Sequence, residues 1–194
     1  MPQQSPTPFL NLPLEAFQLL DRFELHDVWQ VELRQGETIT LPELRKFFYT
    51  NCHEKPGLPV QALFALRTLA GKLFNLEAKP RKGVTLVQEA LPDSLAERSL
   101  IPPGELEGPF TTLYFLPEEA MYEIVNTTVH AILVISLQQT EHGKRFYWAT
   151  YLRPVGRITR LYMALIDPFR RYIVYPGLER WLQRVWVALT REIG

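Results

Sequence analysis

The C-terminal region, residues 154–194, constrains the fold most, because its apolar residues recur at close to helical spacing along its length. A stripe of this kind covers one side of a helix and has to be buried against another part of the protein. We therefore predict one long amphipathic helix, and we expect the rest of the chain to supply a concave surface that receives it. The apolar positions are Ile158, Leu161, Tyr162, Leu165, Ile166, Phe169, Ile173, Leu178, Trp181, Leu182, Val185 and Leu189.

Two prolines interrupt this pattern. Pro168 and Pro176 lack a backbone N–H, so each is predicted to kink the helix. The alternative is a break near Tyr175, after which the last amphipathic segment forms a separate helix. The sequence leaves both arrangements open.

Charge is unevenly distributed along a chain that is neutral overall. Residues 153–194 contain eight Arg against three acidic residues and carry +5, so the remaining residues carry −5. One basic helix on a neutral protein is a weak signal for nucleic acid, and we predict no such partner. Arginines interspersed with Tyr172, Trp181 and Trp186 also fit peripheral contact with an anionic membrane, although a solvated helix face is the simpler interpretation.

Cysteine usage and hydropathy bear on localisation. The single cysteine, Cys52, cannot form an internal disulfide, which fits a reducing compartment. The polar N-terminus lacks the apolar core of a signal peptide, and charged residues interrupt the most apolar window, residues 158–174. We therefore predict a cytoplasmic protein without a membrane-spanning helix.

The length of the chain, 194 residues, fits one large domain. Residues 1–12 are predicted to form a flexible tail and residues 13–194 a single domain. Within that domain, residues 77–109 are rich in Pro and Gly and are predicted to be a partly ordered insertion that covers a pocket.

A strand is predicted for residues 23–33, because apolar and polar residues alternate there. Asp27 falls on the apolar face, so its carboxylate needs a partner or water. The apolar face is predicted to consist of Leu25, Trp29, Val31 and Leu33.

Two helices are predicted after this strand. Thr40 and Glu43 have the spacing of a capping box, which predicts a helix from about Leu41 to Thr50. A second amphipathic pattern predicts a helix over residues 58–75.

Four further strands are predicted for residues 110–116, 120–125, 127–137 and 144–152, with a hairpin loop at residues 140–143. Residues 127–137 are apolar on both faces except at His130 and Ser136. Such a pattern is typical of a central strand that is covered on both sides.

The sequence also resembles a bacterial family known as domain of unknown function 2867, a member of the START-like (SRPBCC) helix-grip superfamily. The resemblance covers about residues 20–192. It is carried by residues 108–110, 122–126, 128–130, 156–157, 162–163, 166, 168–170 and 172–176.

The resemblance implies an α+β helix-grip fold, in which a curved antiparallel sheet of five to seven strands wraps around the long C-terminal helix. Two short helices follow the first strand, and a cavity lies under the long helix. The superfamily implies binding of a hydrophobic or amphipathic small molecule or lipid in that cavity. The resemblance assigns no catalytic residue and no cofactor.

Polar residues in or beside the predicted strands are the first candidates for a site. Asp27, Glu123, Asn126 and His130 could orient a ligand or act as acid and base. They could equally tie the sheet to the helix, with Asp27 or Glu123 satisfying Arg67, Arg157 or Arg160. With the aromatic residues of the strands, the predicted ligand-binding set is Asp27, Trp29, Phe110, Tyr114, Glu123, His130, Trp148 and Tyr162.

Other site chemistries find little support. The four histidines share no metal-ligand spacing, so no metal site is predicted. There is no nucleophile elbow and no Gly-rich phosphate loop. Cys52 beside His53 gives no placed base for a nucleophile.

Three functions remain open at this point. The first is a non-enzymatic module that binds a hydrophobic small molecule or lipid. The second is an enzyme of the same fold that uses Asp27, Glu123 or His130 on a bound hydrophobic substrate. The third is a peripheral membrane or protein-interaction module that works through the basic helix.

Overall fold

The computed structural model describes residues 5–35, 38–51, 86–107, 110–125, 129–154, 163–164 and 166–193. Four α-helices and six strands lie in this part of the chain, with short 3-10 helices at Glu15–Leu19 and Gln88–Ala90 and a π-helical turn at Arg170–Val174. The elements are α1 (Thr7–Leu10), β1 (Glu24–Arg34), α2 (Leu41–Asn51), α3 (Asp93–Arg98), β2 (Leu106–Glu107), β3 (Phe110–Phe115), β4 (Glu119–Val125), β5 (Val129–Thr140), β6 (Gly143–Pro154) and α4 (Tyr175–Ile193).

All six strands form one curved antiparallel sheet, in the order β1-β6-β5-β4-β3-β2. The long helix lies against one face, so the predicted α+β arrangement of sheet and C-terminal helix is confirmed. β5 lies in the middle of the sheet and is buried on both faces, as its sequence predicted.

We call the face that carries the C-terminal helix the helix side. Its main apolar cluster contains side chains from β1, β5 and β6 and from α2 and α4. The sheet and the helices therefore bury each other's apolar faces. α4 contributes Leu182, Val185, Trp186 and Leu189 to this cluster. A smaller cluster around Leu152 and Met163 lies near the start of the helical region.

We call the other face the N-terminal side, because side chains from residues 5–20 cover it. The side chains that pack there against the sheet are Phe9, Leu14, Ala16 and Leu20. They contact strand residues that point away from the C-terminal helix, such as Tyr147. The sheet is thus buried on both faces by elements from the two ends of the chain.

The predicted face of β1 needs one correction, at Leu25. A bulge at His26 shifts the register between Leu25 and Asp27, so that Leu25 packs on the N-terminal side while Trp29, Val31 and Leu33 lie on the helix side. A bulge adds one residue to one strand and reverses the alternation on one side of it. The bulge explains why simple alternation placed Leu25 on the wrong face.

The C-terminal helix is continuous from residue 166 to Ile193 and passes through both prolines. The turn Arg170–Val174 is π-helical and ends just before Pro176. A π-helical turn changes the local hydrogen-bonding pattern, and such turns are frequent at functional sites. The alternative of a break near Tyr175 is therefore wrong.

Local signals placed the second helix and the hairpin correctly. The backbone N–H of Thr40 donates to Glu43 at 2.7 Å, as a capping box requires, and α2 begins at Leu41. Gly143 follows the β5–β6 turn with φ of +137°, and a Cβ there would lie 2.3 Å from the carbonyl oxygen of Leu33. The helix predicted for residues 58–75 lies outside the described residues.

Candidate functional site

A cluster of polar side chains lies between β1, β6 and the π-helical turn. At its centre, the Arg170 guanidinium donates hydrogen bonds to Asp27 at 3.0 Å, to Asp167 at 3.0 Å and to Thr150 at 2.9 Å. Arg170 also contacts the hydroxyl of Tyr175. We call these four partners, together with Arg170 and His26, the Arg170 cluster.

Tyr175 connects this cluster to the aromatic core. Its hydroxyl donates to the second carboxylate oxygen of Asp27 at 2.7 Å, and the Arg170 guanidinium lies 5.3 Å from the centre of its ring. The other face of the ring stacks on Trp29, with ring centres 5.8 Å apart and an interplanar angle of 13°. Asp27, 6% exposed, is thus satisfied by Arg170 and Tyr175 together.

His26 and Asp167 form the more open end of the cluster. The imidazole Nε2 of His26 lies 3.0 Å from both carboxylate oxygens of Asp167. These two side chains are 22% and 20% exposed, so solvent or a ligand can reach them. The bulge in β1 is the reason that His26 and Asp27, although adjacent in sequence, both bond to the helix.

Charges in the cluster stabilise one another. Burial alone would lower the pKa of Arg170, but Tyr175, Asp27 and Asp167 together raise it, so the guanidinium stays protonated. Burial raises the pKa of Tyr175 well above its usual range, with Asp27 adding to the rise and Arg170 opposing it. The Tyr175 hydroxyl therefore remains a neutral donor.

A row of side chains next to this cluster is open at its centre. Cross-strand pairing places Trp29, Trp148, Ile135, Ala120 and Phe115 in one line across the helix side. The two ends of the line are buried, whereas Trp148 and Ile135, on the central strands, are only partly buried. The middle of a covered sheet is normally its most buried part, so the partial exposure of these two large side chains makes the line a candidate contact for an apolar ligand.

The adjacent row contains an unusual hydroxyl. Thr112 pairs with Tyr122 and so lies on the helix side, fully buried, yet its Oγ1 has no hydrogen-bond partner. Buried polar atoms are rarely left unpaired. This hydroxyl could bond to a ligand.

A second pair of ionisable groups lies on the N-terminal side. Nε2 of His130 and Oε1 of Glu123 are 2.7 Å apart, and the two residues are only 1% and 3% exposed. Glu123 also accepts the backbone N–H of Val87 at 2.8 Å, and Phe23 meets the imidazole edge to face. The pair is sealed and ties residues 86–90 to the sheet.

Tyr114 and Glu119 form another buried contact on this side. Glu119 accepts the backbone N–H groups of Glu15 at 3.0 Å and Ala16 at 2.8 Å, and the hydroxyl of Tyr114 donates to the same carboxylate. Burial raises the pKa of Glu119, and the hydrogen bonds from Tyr114 and Ala16 oppose that rise. Burial raises the pKa of Tyr114 as well, helped by the Glu119 charge. The arrangement fixes the start of the 3-10 helix Glu15–Leu19.

The predicted site residues are therefore divided between the two faces. Asp27, Trp29, Phe110 and Trp148 lie on the helix side, whereas Tyr114, Glu123 and His130 lie on the N-terminal side. The alternation of side chains in β4 and β5 thus places the Glu123–His130 pair on the face of the sheet opposite to Asp27. Tyr162 lies outside the described residues, as do Asn126, Cys52, Arg67, Arg157 and Arg160.

Sequence reasoning missed Arg170, Asp167, Tyr175 and the role of His26. The signal that could have found Arg170 was the unmatched Asp27 on an apolar strand face, which required a cation. The sequence did not show which arginine would supply it, because Arg170 is 143 residues away.

The described residues also bear on metal binding and on membrane crossing. Among them, no group of three or more His, Cys, Asp or Glu side chains is arranged to hold a metal ion. None of the described helices combines the length and hydrophobicity needed to cross a membrane.

Fold and site together define a class of α+β proteins in which a curved antiparallel sheet carries a long C-terminal helix over a polar cluster. Residues 19–177 match the family described as protein of unknown function (DUF2867), and the chain belongs to that family. No curated protein and no solved structure matches the chain. Membership in the wider START-like superfamily stays a prediction.

Proposed function

We propose that the protein binds a hydrophobic or amphipathic small molecule or lipid on the helix side of its sheet. The observation that carries this proposal is the partly open pair Trp148–Ile135 in the middle of an otherwise buried row. Ligand sites combine apolar walls with a few placed polar groups. Here the adjacent Arg170 cluster and the unpartnered Thr112 hydroxyl supply the polar groups.

The ligand space is confined to the first half of the C-terminal helix. Further along, Leu182, Val185, Trp186 and Leu189 are buried against the sheet and α2. The π-helical turn, by contrast, carries Arg170 over Thr150, which is two residues from Trp148 on the same face of β6. The polar end of a ligand would lie at the Arg170 cluster and its apolar part over Trp148.

The enzymatic alternative has weaker support. It needs two of Asp27, Glu123 and His130 in one open space, and the sheet separates Asp27 from the other two. The Glu123–His130 pair is itself sealed by Val87 and Phe23. A general acid or base has to come within hydrogen-bonding distance of its substrate.

Filling the proposed space tests the proposal. Ile135→Phe is expected to leave the free energy of unfolding nearly unchanged but to weaken binding of the neutral apolar dye Nile red at least tenfold, because the added ring occupies the ligand's position. Leu137→Phe is the matched control on the same strand and face, where the side chain is only 1% exposed. Overpacking at that position is expected to cost about 1–3 kcal/mol.

Denaturant titrations followed by circular dichroism and dye titrations followed by fluorescence measure the two quantities. Equal destabilisation by both substitutions would mean that the space at Ile135 is already filled. Unaltered dye binding by a folded Ile135→Phe variant would place the dye elsewhere. Native mass spectrometry of protein purified from its host would then identify the natural ligand.

A second candidate function rests on the outer face of α4. Arg180, Val187 and Arg191 are exposed and lie within one sector of this helix, with Val187 49% exposed. An exposed apolar residue between arginines suits the surface of an anionic membrane. Each basic residue near such a surface contributes about 1 kcal/mol.

Vesicle co-sedimentation tests this second function. Arg180→Glu combined with Arg191→Glu is expected to abolish binding to vesicles containing phosphatidylserine, while Arg22→Glu with Lys46→Glu, an equal charge change at exposed positions elsewhere, leaves it intact. Retention of binding by the helix variant would exclude the helix as a membrane contact. The same change in both variants would indicate a response to overall charge alone.

A further inference from the structure

We propose that the polar end of the ligand is positively charged, so that the protein selects an amphipathic amine over a fatty acid or an alcohol. This inference rests on the proposed function and concerns the same site. It follows from the charge, the hydrogen bonds and the aromatic surroundings of the Arg170 cluster.

The described side chains at the centre of the cluster carry a net negative charge. Two carboxylates, Asp27 and Asp167, share the single guanidinium of Arg170, so the three groups carry a net charge of −1 when His26 is neutral. Partial burial keeps water from screening this charge fully. These three described groups therefore favour a cation over an anion.

The guanidinium of Arg170 is already bound to partners within the protein. Its two terminal nitrogens already donate to Asp27, Asp167 and Thr150, and its side chain is only 15% exposed. A ligand carboxylate could bind it only by displacing one of the protein's own carboxylates. That exchange would leave a partly buried carboxylate without its partner, which is costly.

The carboxylate of Asp167 can accept a further hydrogen bond. Its Oδ1 accepts a hydrogen bond from Arg170. The imidazole of His26 lies within hydrogen-bonding distance of both Oδ1 and Oδ2 and is the only partner of Oδ2 among the described residues. A carboxylate has about four acceptor positions, so Asp167 can accept another donor. It is also the more exposed of the two carboxylates, at 20% against 6%.

Aromatic side chains lie on the same face of the sheet as the cluster. Trp29 stacks on Tyr175, and its cross-strand neighbour Trp148 is partly open on the same face. Aromatic faces attract ammonium groups because the ring face is negative. Aromatic rings on the same face of the sheet as the Arg170 cluster form a setting that favours an amine.

Three probes with the same twelve-carbon chain test the inference: dodecylamine, dodecanol and laurate. Each is used below its critical micelle concentration at pH 8, where the amine is protonated and the carboxylate ionised, to displace Nile red from the full-length protein. We expect dodecylamine to bind at least tenfold more tightly than laurate and more tightly than dodecanol. Asp167→Asn, which keeps the shape but removes the charge, is expected to reduce the ratio of amine to alcohol affinity about tenfold.

The control substitution is Glu118→Gln, which removes a carboxylate from the exposed turn between β3 and β4. It is expected to leave the ratio unchanged. The comparison of the three probes with the natural sequence stands even if Asp167→Asn does not fold. Laurate or dodecanol binding as tightly as the amine would overturn the selectivity while leaving the binding function intact. Displacement by none of the probes, with no dye bound, would remove the proposed function itself.

Discussion

Replacing Arg170 by alanine is expected to lower the free energy of unfolding by about 3 kcal/mol, because it leaves the buried carboxylate of Asp27 without its cation. Tyr175 would still donate to Asp27, but a neutral donor cannot balance the charge. Asp167 would lose its hydrogen bond from Arg170 at the same time. Urea denaturation at neutral pH, followed by circular dichroism, measures the change.

Arg171 provides the matched control for this experiment. It is the next residue in the same π-helical turn and is exposed. Arg171→Ala is expected to change the free energy of unfolding by less than about 0.5 kcal/mol. Equal effects of the two substitutions would show that the cluster contributes nothing particular to stability.

A double-mutant cycle assigns the effect to the Asp27–Arg170 pair. Asp27→Asn removes the buried charge, so the further loss of Arg170 is expected to cost much less in that background than in the natural sequence. Additive losses would mean that Arg170 stabilises the fold through packing or through Asp167. The cycle therefore separates the pair from its surroundings.

Replacing Glu119 by alanine is expected to destabilise the protein by about 3 kcal/mol, because three buried donors lose their acceptor. These donors are the backbone N–H groups of Glu15 and Ala16 and the hydroxyl of Tyr114. Residues 5–20 should also become more susceptible to proteolysis, since Glu119 holds Glu15 and Ala16 on the N-terminal side. Glu118→Ala, at the exposed neighbouring position, is the control and should have neither effect.

The pH dependence of stability gives this prediction a second readout. Burial raises the pKa of Glu119 above its usual 4.5, so the folded protein binds that proton more tightly than the unfolded chain does. The resulting stabilisation is fully present below pH 4.5 and is lost as the pH rises through the folded-state value. Glu119→Gln removes this dependence. The free energy of unfolding of the natural protein minus that of the variant should therefore fall as the pH rises from 4.5 through the folded-state pKa of Glu119. A flat difference would contradict the raised pKa.

The sequence predicted those parts of the fold that depend on neighbours in the chain. The capping box at Thr40 placed the start of α2, and the two-sided apolar pattern of residues 127–137 identified the central strand. Trp148 and Thr150 lie on one face of β6, as the two-residue period of a strand requires. In each case a repeat or a pair three residues apart carries the information.

The candidate site depended on contacts that no local pattern contains. The mismatch at Asp27 indicated a missing partner, but several arginines could have filled that role. The bulge at His26 reverses the alternation and brings two neighbouring polar residues to the same helix. Whether Glu123 and His130 share a space with Asp27 depended on which end of the chain covers each face, and the two ends cover opposite faces.

The sequence by itself determined a basic amphipathic C-terminal helix, a set of strands with one hairpin and an acidic residue that required a partner inside the protein. Periodicity and capping determine such features because they act over a few residues. Only the tertiary structure decided that Arg170 is that partner and that Trp148 and Ile135 remain partly open beside it. The physical reason is that pairing between distant side chains and the filling of space depend on how sheet and helix lie in three dimensions.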